Sequence, residues 1–111
     1  MGEPTEAPGD LRVVVSHGSG DCVVEVIGEL DVHTSPRLRG ELAGLIDSGA
    51  TPIVLDLSRL DFVDSTGLGV FVRAAKRLAA RQRSLVLRAP RPATRKVLEI
   101  TGLDKVLAIV E

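Results

Sequence analysis

Apolar residues in the first third of the chain form two short runs, at 11–16 and 22–27. Both runs are rich in β-branched side chains, and the segment 18–21 between them contains two glycines. Glycine tolerates the positive φ angles of tight turns, so the pattern predicts a hairpin of two antiparallel strands. Residues 1–10 combine Pro, Gly and acidic side chains with few apolar ones, which predicts a flexible N-terminal tail.

Beyond residue 30 the spacing of apolar residues changes from the period of a strand to that of a helix. The first predicted helix has Thr34 or Ser35 as its cap, Pro36 in its first turn and Gly49 at its end. Its apolar face should pack against a sheet. That face comprises Leu38, Leu42, Leu45 and Ile46.

Two further helices follow the same period. One is predicted over 65–83 with Ser65 or Thr66 as its cap, and the other begins near Pro92 and stops at Gly102. We expect both to pack inward through one face. The residues predicted on these faces are Leu68, Val72, Ala75 and Ala79 in the former and Val97 and Ile100 in the latter.

Three apolar runs at 52–57, 84–89 and 106–110 alternate with these helices and have the length of strands. The predicted order is β-β-α-β-α-β-α-β. Strands that are separated by helices pair in parallel through right-handed crossovers. We therefore predict one α/β domain over 11–111, with a mixed, mostly parallel sheet that an antiparallel hairpin opens.

Composition excludes several classes of function. The 14 basic and 15 acidic residues leave a net charge of -1, and only 2% of residues are aromatic, so direct binding of nucleic acid is not expected. Arg73, Arg77 and Arg81 recur every four residues, and we interpret them as a solvated helix face. We expect no membrane span, no signal peptide and a cytoplasmic protein. The single cysteine, Cys22, is interpreted as a packing residue.

The segment 61–69 crosses from a strand into the first turn of a helix, where sites of open α/β sheets form. Gly67 and Gly69 each cost a helix about 0.5 to 1 kcal/mol relative to alanine. Tight packing on the sheet, the close approach of another protein or of a phosphate, or both together should offset that cost. No P-loop, dinucleotide fingerprint or Gly-x-Ser-x-Gly elbow surrounds Ser65, which argues against a nucleotide site and a serine hydrolase. Asp56 is interpreted as a partner of loop amides rather than a metal ligand.

The run Asp64-Ser65-Thr66-Gly67-Leu68-Gly69-Val70, preceded by the apolar strand 53–57, resembles the signature of anti-sigma factor antagonists. The fold of that family is called the STAS domain. The segment 28–31, followed by a polar stretch and a helix, is placed like the family's second characteristic segment. The resemblance extends over about 11–110, nearly the whole chain.

The resemblance implies a protein that is not an enzyme, needs no cofactor and binds no metal. Ser65 would be its phosphorylation site, with Thr66 a less suitable acceptor. The unphosphorylated form would bind an anti-sigma factor with serine kinase activity and free the sigma factor, and phosphorylation would end that binding. A PP2C-like phosphatase would restore it. The predicted partner-binding residues are Asp31, His33, Asp64, Ser65, Thr66, Gly67, Leu68 and Gly69.

Other interpretations remain open at this point. A STAS domain could instead serve as a subunit of another signalling complex or of a lipid-transport complex. The segment with Asp31 and His33 could be no more than a solvated loop at the start of a helix. A hydrolase that uses Ser65 and a nucleotide-binding module are the remaining alternatives.

Overall fold

Six β-strands form one sheet in the computed structural model, which describes residues 10–18, 20–50 and 52–111. Most of the predicted tail and Ser19 of the predicted turn lie outside the described residues, so the tail stays a prediction. The elements are β1 (Leu11–His17), β2 (Cys22–Leu30), α1 (Ser35–Ser48), β3 (Ile53–Asp56), β4 (Leu60–Val63), α2 (Ser65–Ala80), β5 (Leu85–Arg88), α3 (Pro92–Ile100), a 3₁₀ turn (Leu103–Lys105) and β6 (Ala108–Val110).

The predicted α/β architecture is confirmed. The sheet has the order β1-β2-β3-β5-β6, and its first pair is antiparallel while the pairs β2–β3, β3–β5 and β5–β6 are parallel. The hairpin therefore supplies an antiparallel edge strand, β1. Because α1, α2 and α3 all connect parallel strands, the loops that follow the strands gather at one edge of the sheet.

Strand β4 is absent from the predicted element order. Its burial does not alternate, since Leu60 and Val63 are buried while Asp61 and Phe62 are exposed. The cause is an irregularity in the ladder, in which Gly28 pairs with Leu60 but Glu29 pairs with Phe62. Asp61 is thus the extra residue of a bulge, which turns both 61 and 62 outward and removes the period of two that sequence analysis relies on.

The long strand β2 holds β3 and β4 on the same side. Residues 22–25 pair with β3, and residues 28–30 pair with β4. Gly28, the first residue of the second stretch, has a φ of 107°, and a Cβ there would lie 2.3 Å from the carbonyl oxygen of Asp10. Glycine is needed here because the backbone before β1 comes this close, while the pairing of Leu30 with Val63 sets the carboxyl ends of β2 and β4 side by side.

The helix boundaries agree with prediction better than the helix faces do. Gly49 ends α1 in a left-handed conformation with a φ of 90°. Helix α2 ends at Ala80 rather than near 83, and it buries a different face from the one predicted. The larger side chains of Phe71 and Leu78 fill the core in place of Val72 and Ala79, since they bury more apolar surface. The buried residues of α2 are Gly67, Leu68, Val70, Phe71, Ala74 and Leu78.

At the C-terminal end, two predictions need correction. Ile100 is 75% exposed instead of inward, because Thr94 and Leu98, one turn apart, form the buried face of α3. Strand β6 is shorter than predicted, since the amides of Val106 and Leu107 still donate to the carbonyl of Leu103 in the 3₁₀ turn. The prediction for Cys22 is confirmed, because this residue is buried in the core and burial raises the pKa of its thiol.

An ion pair ties the carboxyl ends of β3 and β5. Asp56 and Arg88 are paired in register, and Arg88 donates to Asp56 Oδ2 at 2.9 Å. Asp56 Oδ1 accepts from the Ser58 amide at 2.9 Å, which confirms the predicted bond to the loop backbone. Burial acts to raise the pKa of Asp56, but the bonds from Ser58 and Arg88 together outweigh it and lower the pKa.

The first prediction concerns this pair. Asp56→Asn should lower the free energy of unfolding at pH 7 by roughly 1 kcal/mol, because the bond from Arg88 loses its charge on the acceptor. A carboxyl with a lowered folded-state pKa stabilises the fold above its unfolded pKa of about 3.9 and loses that effect as pH falls through the folded value. Denaturant unfolding at pH 7 and pH 3 measures the free energies of unfolding of wild type and variant. Their difference should be smaller at pH 3 than at pH 7, and an equal difference at both pH values would contradict this assignment.

Candidate functional site

Two loops meet at the carboxyl ends of β2 and β4. Leu30 is the register partner of Val63, and the amide of Asp64 donates to the carbonyl of Leu30 at 3.1 Å. The chain continues from Leu30 into the segment of Asp31 and from Asp64 into α2. The two segments that sequence analysis proposed as one surface are therefore brought together by the strand pairing.

Asp64 caps α2, which corrects the predicted cap at Ser65 or Thr66. Its backbone is extended, with φ of -105° and ψ of -175°, and its Oδ1 accepts from the amide of Gly67 at 3.0 Å. Aspartate is among the preferred N-cap residues, and Ser65 and Thr66 already lie in the first turn. The carboxylate thus performs the structural task, and the two hydroxyl groups are not needed for it.

Ser65 is the first residue of α2 and is exposed. Its hydroxyl has no hydrogen-bond partner among the residues that the structure describes. A helix N-terminus leaves its first amides without intrahelical partners and carries a partial positive charge, so it favours a neighbouring anion. Thr66 is less accessible than Ser65, with intermediate burial.

The segment after β2 is held by its own hydrogen bonds. Asp31 Oδ1 accepts from the amides of His33 at 2.9 Å and Thr34 at 3.0 Å, and the Thr34 hydroxyl donates to the carbonyl of Glu29 at 2.8 Å. Thr34 is therefore the N-cap of α1 without a side-chain capping bond. The bond from the Thr34 amide is the largest cause of the lowered pKa of Asp31. His33 is exposed, so this ordered loop presents it to solvent.

The two glycines of the motif have different surroundings. A Cβ at Gly67 would lie 2.7 Å from Leu30 Cγ and 2.8 Å from Val63 Cγ2, whereas a Cβ at Gly69 would have no atom within 4 Å. Tight packing of α2 against β2 and β4 therefore accounts for Gly67. Gly69 has room beside it, so the interpretation as a place of close approach applies to Gly69, and a partner contact at Gly67 stays a prediction.

A shallow groove of about 470 Å³ runs along α2 from the phosphoacceptor candidate. We call it the α2 groove. Leu68 contributes to it but is only 6% exposed, so its side chain serves mainly the core. The lining residues are Ser65, Leu68, Gly69, Val72, Arg73, Lys76, Thr101 and Leu103.

Sequence analysis missed two exposed apolar residues beside the site. Phe62 in β4 is 49% exposed, and Val32, between Asp31 and His33, is 57% exposed. Neither residue is among the predicted site residues, because the exposure that a bulge or a loop gives to an apolar side chain cannot be seen in an apolar pattern. Exposed aromatic side chains are often the strongest contributors to protein interfaces, so Phe62 belongs to the candidate surface.

Among residues 10–18, 20–50 and 52–111, no group of three or more His, Cys, Asp or Glu side chains is arranged to hold a metal ion. None of the helices described is long and apolar enough to cross a membrane.

Comparison with known proteins agrees with the fold. The family model of the STAS domain matches residues 12–111. The chain belongs to the STAS domain family. The anti-sigma-B factor antagonist of Bacillus subtilis is 34% identical to it over 100 residues, which is 90% of this chain and 91% of that protein.

Solved structures of this family have the same fold. An anti-sigma factor antagonist from Mycobacterium paratuberculosis is similar with a TM-score of 0.87 and 30% identity, over 96% of this chain and 90% of that one. SpoIIAA in its unphosphorylated form matches with a TM-score of 0.77 and 28% identity, over 90% of this chain and 89% of that one. These relatives bear the names of regulatory proteins.

The second prediction separates the two glycines. Gly67→Ala should lower the free energy of unfolding by about 1–3 kcal/mol, because its Cβ would overlap Leu30 and Val63. Gly69→Ala is the matched control and should stabilise the helix by up to about 1 kcal/mol. Urea unfolding of both variants measures this, and equal effects at the two positions would refute the packing assignment of Gly67.

Proposed function

We propose that this protein is an anti-sigma factor antagonist whose unphosphorylated form binds an anti-sigma factor with serine kinase activity. The observation that carries the proposal is an exposed serine, Ser65, at the first position of a helix that Asp64 caps. Relatives at 34–38% identity are named anti-sigma-B factor antagonists, which supports the same role here. Binding of the anti-sigma factor would free the sigma factor.

Phosphorylation of Ser65 ends this binding. A phosphate adds about -1.5 to -2 charges, and the partial positive charge and unpaired amides of the helix N-terminus accommodate it. The hydroxyl makes no bond to the described parts of the fold, so its modification removes no structural contact. The new charge must instead be desolvated when the partner covers the site, close to the carboxylate of Asp64, and that weakens the complex.

The structural neighbours support a switch of this kind. SpoIIAA has been solved in phosphorylated form as well, and that structure matches this chain with a TM-score of 0.71 at 28% identity. Both states of that protein therefore have the fold of this chain. In our proposal the fold of this protein likewise survives phosphorylation, the kinase supplies the nucleotide and its metal, and a PP2C-like phosphatase reverses the reaction.

The partner surface in this proposal comprises both loops. His33 and Val32 are exposed in the ordered loop after β2, Phe62 is exposed in β4 two residues before Asp64, and Ser65 is exposed directly after it. Asp31 keeps one oxygen for its loop and has the second available to a partner. Thr66 is a poorer acceptor, since it is less exposed than Ser65.

The third prediction is the order of affinities for the anti-sigma kinase. Ser65→Ala should bind like the unmodified protein and resist inactivation. Ser65→Asp, with about one negative charge, should bind less tightly, and phosphorylated protein should lose about 1–3 kcal/mol of binding free energy, roughly a five- to 150-fold loss of affinity. Calorimetry with the purified kinase measures the affinities, and mass spectrometry after incubation with ATP should place one phosphate on Ser65.

Thr66→Ala is the matched control for the choice of acceptor: it should still take one phosphate, on Ser65, and that phosphate should still release the kinase. A phosphate on another residue, or a phosphorylated protein that binds as tightly as before, would contradict the switch. Stable assembly with a transporter or another signalling complex, without any kinase, would favour the role as a subunit of such a complex.

A further inference from the structure

The α2 groove extends the candidate surface away from Ser65. Ser65 and Gly69 lie at one end, and Lys76, about three helical turns further on, lies at the other. Leu68, Val72 and Leu103 supply apolar lining. A partner that covers Ser65 therefore also lies over one end of a partly apolar groove that the chain itself leaves open.

The two cations on the rim of the groove, Arg73 and Lys76, differ from Arg77 and Arg81 of the same helix in their ion-pair partners. Arg77 and Arg81 lie 3.0 Å and 3.8 Å from the carboxylate of Asp47, so the two arginines share one ion-pair partner. Arg73 and Lys76 are exposed, and no carboxylate among the described residues lies within ion-pair distance of either. The arginine face that we predicted to be solvated is therefore divided. Its part beside α1 has a carboxylate within ion-pair distance, and its part along the groove has none among the described residues.

We propose that the α2 groove receives an acidic, amphipathic segment of the kinase that binds at Ser65. Apolar side chains of that segment pack mainly on the half-buried Val72 and Leu103, and its carboxylates pair with Arg73 and Lys76. The inference rests on the proposed function, because it adds a second contact area to the same complex. Its support is the continuity of the groove with Ser65 and the charge complementarity of an acidic segment to the rim.

The proposal gives the groove a distinct role. Charges on the rim of an interface act mainly on the association rate and its salt dependence, and less on the dissociation rate. The groove would therefore draw the kinase onto the protein, while the phosphorylation state of Ser65 decides how long the complex lasts. Charge reversal in the groove should slow the association of the kinase, and phosphorylation of Ser65 should still release it.

The test uses the full chain and the purified kinase that phosphorylates Ser65. Arg73→Glu and Lys76→Glu should each weaken binding about three- to tenfold at low salt, with the loss shrinking as ionic strength rises. Lys96→Glu is the matched control, since it makes the same charge change at an exposed lysine of α3 outside the groove. Association rates from surface plasmon resonance and unfolding midpoints of each variant complete the comparison.

A second measurement locates the contact directly. Zero-length carbodiimide coupling joins an amine to a carboxylate only when the two touch, so the complex should yield a cross-link from Lys76, but not from Lys96, to an acidic residue of the kinase. If both groove variants bind the kinase as tightly as wild type, or if Lys96→Glu loses as much affinity as they do, the groove contact is wrong. The proposed function would still stand in that case, provided that phosphorylation releases the kinase. A kinase that never binds the wild-type chain would overturn both.

Discussion

The pairing of Leu30 with Val63 is the contact on which the site depends. It places the ends of β2 and β4 next to each other, and the bond from the Asp64 amide to the Leu30 carbonyl fixes the start of α2 against β2. Close approach of the helix to these two side chains is possible only because Gly67 has no Cβ. The register of β2 and β4, the position of α2 and the exposure of Ser65 therefore depend on one tightly packed contact between Leu30, Val63 and Gly67. We call this contact the junction.

Near the junction, the groups that hold the fold together are different from the group at which we propose regulation. Carboxylates carry the local hydrogen bonds, with Asp64 capping α2 and Asp31 ordering the loop before α1, while the Ser65 hydroxyl stays outside both networks. A charged group can then be added to Ser65 without breaking a bond that the fold requires. In the proposed switch, the same helix offers a regulated end at Ser65 and, along the α2 groove, a cationic rim that phosphorylation leaves in place.

Much of this arrangement follows from sequence patterns, and the misses have identifiable physical causes. Periodicity predicted the order of the helices and the parallel sheet, and the motif pointed to Ser65. The bulge at Asp61 concealed β4 and the exposure of Phe62, because it breaks the period of two. The helix cap was assigned one or two residues late, since Asp64 and Ser65 are both good caps and only the backbone conformation distinguishes them.

The central claim is that phosphate on Ser65 changes the surface and leaves the junction intact. Amide hydrogen exchange of the unmodified and the phosphorylated chain, read residue by residue by NMR, tests it most directly. The account predicts equal protection for the amides of Asp64 and Gly67, which bond to Leu30 and to the Asp64 carboxylate, and for the core of α2. Loss of protection at these amides after phosphorylation would contradict it.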